Sequence, residues 1–350
     1  MDQNELQKQI TIYDIASEAG VSPSTVSRVI TKRTGVSAEK REVIEHLIRK
    51  YKFRPNAMAR SLSDTKTKIL GLLVADIRNP YYASLSVECE KAANKHGYTV
   101  MLCNALNDNE LEDSNLEKFY EQRVEAIIQV GCRVDDLVSD PSYVAHVNRI
   151  SRTIPFVITG KLDGVNCYHV NIDDEKGMKI IFDYLISLGH EKIAFIGGEK
   201  RVKSTNDKRQ HYIYLMGRNG LAFRTDYIQE GDYSEKEGYN CMMRLLDLDI
   251  VPTAVIAIND FAAAGALKAA AEKKICIPND ISLISFDNTY LSEILTPKLT
   301  SVDYDYEIFG ETLVDIAINA IQKKVIERDY LITPKLVIRE SCGSVRIQNE

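Results

Sequence analysis

From residue 69 onward the sequence alternates short apolar runs with longer amphipathic stretches, and that alternation restricts the fold more than any other feature. Residues 69–75, 98–103, 126–130 and 155–159 are runs of strand length, as in strands covered on both faces. Residues 85–96 and 110–122 lie between them with helical spacing. The order then repeats: strand 167–172, helix 176–188, strand 192–197, helix 209–218, strand 253–258, helix 262–274 and strand 282–286. Such alternation predicts an α/β fold with doubly wound parallel sheets. So many strands fit two lobes better than one sheet. Ligands of such folds sit beyond the carboxyl ends of the strands, here in the cleft between the lobes.

The first 68 residues follow a different pattern. Thr11 can cap a helix whose first turn carries Asp14, Ile15 and Ala19 share one face, and Gly20 stops it. After Val21, Ser22-Pro23 restarts a helix with serine at the cap and proline at the first position. Val26, Val29 and Ile30 form its inward stripe. A third helix begins near Ser37 with the stripe Val43, Ile44, Leu47, Ile48 and Tyr51, and ends by Phe53 and Arg54-Pro55. Two short helices joined by a Gly-Val-Ser turn and braced by a third make a helix-turn-helix. The second helix leaves Ser24, Thr25, Ser27 and Arg28 off its stripe. Hydroxyls can reach phosphates or base edges, and arginine can pair with guanine or phosphate. The charge agrees: residues 1–68 carry 13 Lys and Arg against 8 Asp and Glu, and the remainder 31 against 42. A basic head on an acidic body places a polyanion at the head alone.

The same residues exclude several classes. The seven cysteines are odd in number and never form a CxxC pair, which argues against a disulfide framework and a zinc site. No apolar run approaches the roughly 20 residues of a membrane span. Met1 to Ile10 lacks the apolar core of a secretory signal, so a cytoplasmic location is expected. There is no dinucleotide or Walker phosphate loop, no His-x-x-x-His pair and no Gly-x-Ser-x-Gly turn. Asp173-Asp174-Glu175 precedes a helix, where capping explains the charge better than catalysis. No catalytic residue, metal or cofactor is expected. Asn259-Asp260 and Asp287-Asn288 follow strands and can accept sugar hydroxyls, although Asx residues there also make turns. Tyr81 and Tyr82 supply aromatic faces.

Three stretches carry a closer likeness. Thr11-Ile12-Tyr13-Asp14-Ile15-Ala16, Ala19-Gly20-Val21-Ser22-Pro23-Ser24-Thr25-Val26-Ser27-Arg28-Val29-Ile30 and Arg54-Pro55-Asn56-Ala57-Met58-Ala59-Arg60-Ser61-Leu62 resemble the headpiece signature of the lac-repressor (LacI/GalR) family. In the core, the first-strand loop from Asp76 to Tyr82, Ile258-Asn259-Asp260, Ser285-Phe286-Asp287-Asn288 and Leu299-Thr300-Ser301-Val302 resemble its effector-site motifs and its crossover to the first lobe. The resemblance implies DNA contacts at Thr11, Tyr13, Ser22, Thr25, Ser27, Arg28 and Asn56, with Pro23 and Ser24 at the positions that choose the operator. Pro23 departs from the pattern because it brings no hydrogen-bonding side chain. Residues 55–63 would fold as a hinge helix on DNA and pair with a second copy, with Ala59 among the DNA-facing residues and Leu62 pushed into the minor groove. Effector contacts would fall on Tyr81, Tyr82, Asn259, Asp287 and Tyr304. An arginine that many relatives carry after the Gly-Gly turn would be Asn206 or Arg209 here, and Gly160 stands where many carry an aspartate.

The domains expected are an extension 1–10, a headpiece 11–54, a hinge helix and linker 55–68, and a periplasmic-binding-protein-like core 69–345. In the core, 69–165 plus 297–325 form the first lobe and 166–296 plus 326–345 the second. The function implied is that of a homodimeric repressor on pseudo-palindromic double-stranded operator DNA, released by a sugar or sugar derivative, with no membrane partner. An activator or corepressor-dependent regulator is the alternative within the family. A sugar-processing enzyme with a DNA module and a transport-type binding protein are the alternatives outside it.

Overall fold

The computed structural model describes residues 10–31, 34–53 and 66–345. The chain divides into two units, Met1–Thr67 and Lys68–Glu350. In the first, α1 (Ile12–Glu18), α2 (Pro23–Ile30) and α3 (Ala38–Lys50) enclose Ile15, Ala16, Val26, Val29, Ile44 and Leu47. Thr11 and Asp14 form a reciprocal capping box: the Asp14 amide donates to the Thr11 hydroxyl and the Thr11 amide to Asp14 Oδ2 at 2.7 Å. Ser22 accepts from the Thr25 amide, and Pro23 needs no partner at the first helical position. Gly20 turns the chain at φ +65°. Val43, expected in the stripe, is 46% exposed. The packing buries Ile44 and Leu47 and partly covers Ile48 and Tyr51, leaving Val43 at the outer edge of the stripe.

The second unit runs β1 (Ile69–Val74), α4 (Pro80–Lys95), β2 (Thr99–Asn104), α5 (Asn109–Glu121), β3 (Ala126–Val130), a 3-10 turn (Cys132–Asp135), α6 (Pro141–Ser151), β4 (Phe156–Ile158) and β5 (Tyr168–Ile172). It continues α7 (Asp174–Ser187), β6 (Ile193–Ile196), α8 (Lys203–Arg218), a 3-10 turn (Thr225–Tyr227), β7 (Ile228–Gln229), α9 (Glu235–Leu246), β8 (Ala254–Ala257), α10 (Asp260–Glu272) and β9 (Ser282–Asp287). It closes with α11 (Leu291–Ile294), β10 (Thr300–Asp303), α12 (Tyr306–Ile321), β11 (Asp329–Ile332) and β12 (Lys335–Val337). One sheet has the order β11-β5-β4-β3-β1-β2 and the other β12-β10-β9-β8-β6-β7. All pairings are parallel except β10 with β12. The central strands β3, β6, β8 and β9 are buried throughout, which explains their unbroken apolar runs. Among the described residues no helix is long and apolar enough to cross a membrane.

The lobes divide the chain differently from the expectation. Tyr168–Ile172, assigned above to the second lobe, pairs with β4 and β11 in the first sheet. Asp329–Ile332 belongs to the first sheet and Thr300–Asp303 to the second. The chain therefore crosses between lobes three times, after β5, β10 and β11. Leu299–Val302 is not itself the crossover; the return follows at Tyr304-Asp305, where Asp305 takes φ +54°. The helix expected at 209–218 begins six residues earlier, at Lys203.

Candidate functional site

A cleft of about 790 Å³ lies between the lobes, at the carboxyl ends of the strands. Tyr81 and Tyr82 reach it from the first turn of α4, where Asn79 caps the Tyr81 amide at 3.1 Å. The Tyr81 ring stands edge-on to Tyr82 at 5.0 Å and to Tyr304 at 6.2 Å between centroids. Gly131 opposite has no room for a side chain, since a Cβ there would lie 2.6 Å from the Tyr82 hydroxyl. Asp287 ends β9 at φ +97°, a conformation costing a non-glycine residue about 1–3 kcal/mol. Only 7% of it is exposed. Burial, reinforced by Asp260, holds its carboxyl well above the usual range; Lys208 and the Tyr304 hydroxyl only partly oppose this. Strain and burial concentrated on one carboxylate mark Asp287 as a candidate binding group at the strand end.

The opposite wall is the first two turns of α8. Ser204, Asp207, Lys208 and His211 follow helical spacing and all face the cleft. Lys208 Nζ pairs with Asp174 Oδ1 at 2.6 Å and lies 5.2 Å above the Phe286 ring. Sequence reasoning missed this face, for which the Ser204/Lys208 and Asp207/His211 intervals were the available signal. Of the residues expected here, Tyr81, Tyr82, Asn259, Asp287 and Tyr304 line the cleft, while Asn206 and Arg209 do not. Successive helical residues are turned about 100° apart, so Lys208 faces inward and Arg209 faces the Gly-Gly turn. Arg209 Nη2 donates to the Gly197 and Gly198 carbonyls at 3.0 and 2.7 Å. Asn259 has both amide atoms engaged, accepting from the Ala262 amide at 2.7 Å and donating to the Tyr233 carbonyl at 3.2 Å.

Beside the cleft the lobes are clasped. The Ser204 hydroxyl donates to Asp135 Oδ2 at 2.6 Å, Arg201 pairs with Asp136 at 2.9 Å, and the Leu137 amide donates to the Arg201 carbonyl at 2.7 Å. Burial pushes the Asp135 carboxyl up to about 6, against the opposing pull of Ser204 and Lys208; Asp174 adds to the rise. A carboxyl that binds its proton more tightly in the folded protein stabilises it fully below the unfolded value near 4, and that contribution is lost as pH rises through about 6. Asp135→Asn keeps an acceptor for Ser204 but cannot titrate. Urea titrations at pH 4 to 7 should therefore show wild-type stability falling relative to the variant by roughly 2–3 kcal/mol across that window. Parallel curves would rule out titration at the clasp.

One arrangement outside the cleft has the order of a nucleophilic triad: Cys167 Sγ to His169 Nε2 at 3.4 Å and His169 Nδ1 to Asp329 at 2.9 Å. Its thiol is buried and pushed up to about 11, the reverse of an activated nucleophile.

In the headpiece, Thr11, Tyr13, Ser22, Ser24 and Arg28 are exposed and Pro23, Thr25 and Ser27 half-buried. The Ser22 hydroxyl meets those of Ser24 and Thr25 at 2.8 and 2.9 Å. These hydroxyls and Arg28 form a polar face along the start of α2, the geometry for phosphate and base-edge contacts. Asn56, Ala59 and Leu62 lie outside the described residues.

Comparison with known proteins bears on both sites. Residues 11–56 match the model of bacterial regulatory proteins of the lacI family, and residues 182–342 that of a periplasmic binding protein-like domain. The HTH-type transcriptional repressor PurR of Pasteurella multocida (strain Pm70) is 33% identical over 338 residues, 95% of this chain and 99% of that protein. Catabolite control protein A of Priestia megaterium is 31% identical over 336 residues, again 95% and 99%. The crystal structure of the lac repressor dimer bound to operator and the anti-inducer ONPF superposes with a TM-score of 0.84 at 26% identity, covering 96% of this chain and 100% of that one.

Proposed function

The chain belongs to the LacI family of bacterial regulatory proteins and is a DNA-binding transcriptional repressor, and from that premise we propose that a sugar or small sugar derivative in the interlobe cleft sets its affinity for a pseudo-palindromic operator. The observation that carries the effector reading is the cleft itself: a buried carboxylate, Asp287, facing Tyr81 and Tyr304 in a space of about 790 Å³. Carboxylates accept paired hydroxyls, and aromatic rings cover the C–H face of a sugar. Tyr81, Tyr82, Asp287 and Tyr304 are the contacts proposed, with Lys208 in place of Asn206 or Arg209. Two copies would read one half-site each, through Thr11, Tyr13, Ser22, Pro23, Ser24, Thr25, Ser27 and Arg28, with Asn56, Ala59 and Leu62 completing the contacts. The cytoplasm, reducing and in contact with DNA, is the compartment proposed.

Effector would control the headpieces by preferring one arrangement of the lobes. Equal affinity for both arrangements would shift nothing. The Asp135–Ser204 and Asp136–Arg201 clasp, which joins the lobes in this arrangement, would be the element made or broken between the two. Fluorescence anisotropy of a labelled palindromic duplex from upstream of its own transcription unit, against a scrambled duplex at fixed salt, tests the reading. Specific binding released by one sugar is the expected result. Sugar-strengthened binding would make it a corepressor-dependent regulator, and equal binding to both duplexes under all additions would sink operator recognition. Arg28→Ala should weaken the specific complex by about 10- to 100-fold, the worth of a good arginine–base pair, and sugar binding should be unchanged.

A further inference from the structure

Charge in the cleft is one-sided. Nine carboxylates line it against four Lys and Arg side chains, with His211 the only other basic group lining it among the described residues. Each of the four cations is already held by the protein. Lys208 pairs with Asp174 and Arg78 with Asp76, both at 2.6 Å. Arg201 lies between Asp136 at 2.9 Å and Glu199 at 2.7 Å, and Lys203 pairs with Asp207. By contrast, Asp135 and Asp287 have no Lys or Arg ion pair among the described residues.

The helix ends beside the cleft are spoken for as well. An uncapped helix N-terminus is the other common seat for a phosphate or carboxylate. At α8 the Ser204 amide donates to Asp135 at 3.3 Å. At α7 the Lys176 amide donates to Asp173 at 2.9 Å, and at α10 the Ala262 amide to Asn259 at 2.7 Å. Two of these three caps are themselves carboxylates, so each adds negative charge where an anion would have to approach.

Taking the cleft as the effector site, as proposed above, we infer that its effector carries no negative charge: it is an uncharged polyol or an amine-bearing one, and not a phosphate ester or a carboxylate. Hydroxyls and ammonium groups donate, which suits Asp135 and Asp287, acceptors when ionised. A phosphate would enter among carboxylates, and for the Lys and Arg side chains it would have to compete with ion pairs already made, such as Lys208–Asp174. The discrimination is built by repulsion as much as by fit.

Matched ligand sets test it on the full chain. Glucose, galactose and ribose, each free and as the terminal phosphate ester, are titrated beside glucosamine, galactosamine, and adenosine against adenosine monophosphate. Calorimetry and tyrosine fluorescence serve as readouts, since the chain has 18 Tyr and no Trp. The tightest binder is expected to be an unphosphorylated member, with its phosphate ester at least about 100-fold weaker. Asp174→Asn, which frees Lys208, should narrow that gap by at least about tenfold, with cooperative unfolding showing that the fold is intact. A phosphate ester that binds as tightly as its parent overturns the inference, and so does a gap of undiminished width in a folded Asp174→Asn protein. No binding by any member would instead remove the cleft as the effector site, and the inference with it.

Discussion

Replacing Arg133 with methionine is expected to lower the stability of the core by about 3–5 kcal/mol, seen as a fall in the urea midpoint. Arg133 and Glu112 are both almost wholly buried and bonded at 3.0 Å. The guanidinium also reaches Asp113 at 2.6 Å and the Asn109 carbonyl at 3.2 Å, and stacks 3.9 Å from the Tyr143 ring centroid. The other Glu112 oxygen accepts from Gln129 at 2.7 Å, and Tyr143 donates to Gln129 at 2.7 Å. Burial already pushes the Glu112 carboxyl above its ordinary value with the arginine present. Without it, the carboxylate must be buried alone or take up a proton. The pair as a whole is not expected to be strongly stabilising, because desolvation offsets much of its attraction. The double variant Glu112→Gln, Arg133→Met should therefore lose only about 1–2 kcal/mol, since the one carboxylate it leaves without the arginine, Asp113, is exposed to solvent. Equal losses in the single and double variants would show that packing, not an orphaned charge, sets the cost. Arg133 lies two residues before Asp135 in the same 3-10 turn, so the network also fixes the strip that clasps the second lobe.

The architecture was legible because its signals are periodic and redundant. Strands buried on both faces become unbroken apolar runs, and each headpiece helix announces its start with Thr11, Ser22-Pro23 or Ser37. Lobe membership was not legible. A strand's sequence records that it is buried, not which neighbour it pairs with. The first two crossings use only Asp173, and Tyr304 with Asp305, and neither link contains the glycine or proline that marks a boundary. Val170, buried in the first sheet, would have looked the same in the second.

The site divides along similar lines. Tyr81, Tyr82 and Asp287 stand where strand ends deliver side chains to a cleft, and their motifs pointed to them. Lys208 and Ser204 were hidden because α8 opens on Val202, which makes no side-chain cap, and its first turns are polar enough to pass for a loop. Asp135 sits in a short 3-10 turn with no periodicity to reveal its direction. Asn206 and Arg209 both stood open for the family's arginine. Only the helical phase, which the sequence leaves open when the start is misplaced, assigns the cleft to Lys208.

Gly160 raised a sharper question, since a carboxylate is expected at that position in many relatives. Replacing it with aspartate is expected to cost about 3–5 kcal/mol and to weaken effector binding, not to restore a lost contact. Gly160 has φ +92°, and a Cβ built there would lie 2.4 Å from the Val134 carbonyl oxygen and 3.1 Å from Asp135 Cα. Those neighbours are backbone and cannot swing aside. The Lys161 amide donates to the same Val134 carbonyl at 2.7 Å, and Asn171 brackets Gly160 by accepting from its amide at 2.5 Å and donating to its carbonyl at 3.1 Å. Strand end and turn are thus in direct contact, and the carboxylate in this neighbourhood is that of Asp135, carried by the turn. Gly160→Ala separates the two costs. If alanine destabilises nearly as much as aspartate, the overlap with Val134 and the positive φ are responsible, and the exchange of one carboxylate for another is enforced by the backbone. If alanine is tolerated and aspartate is not, the penalty is electrostatic, arising from a second carboxylate beside Asp135, and the close approach of turn and strand does not hold in solution.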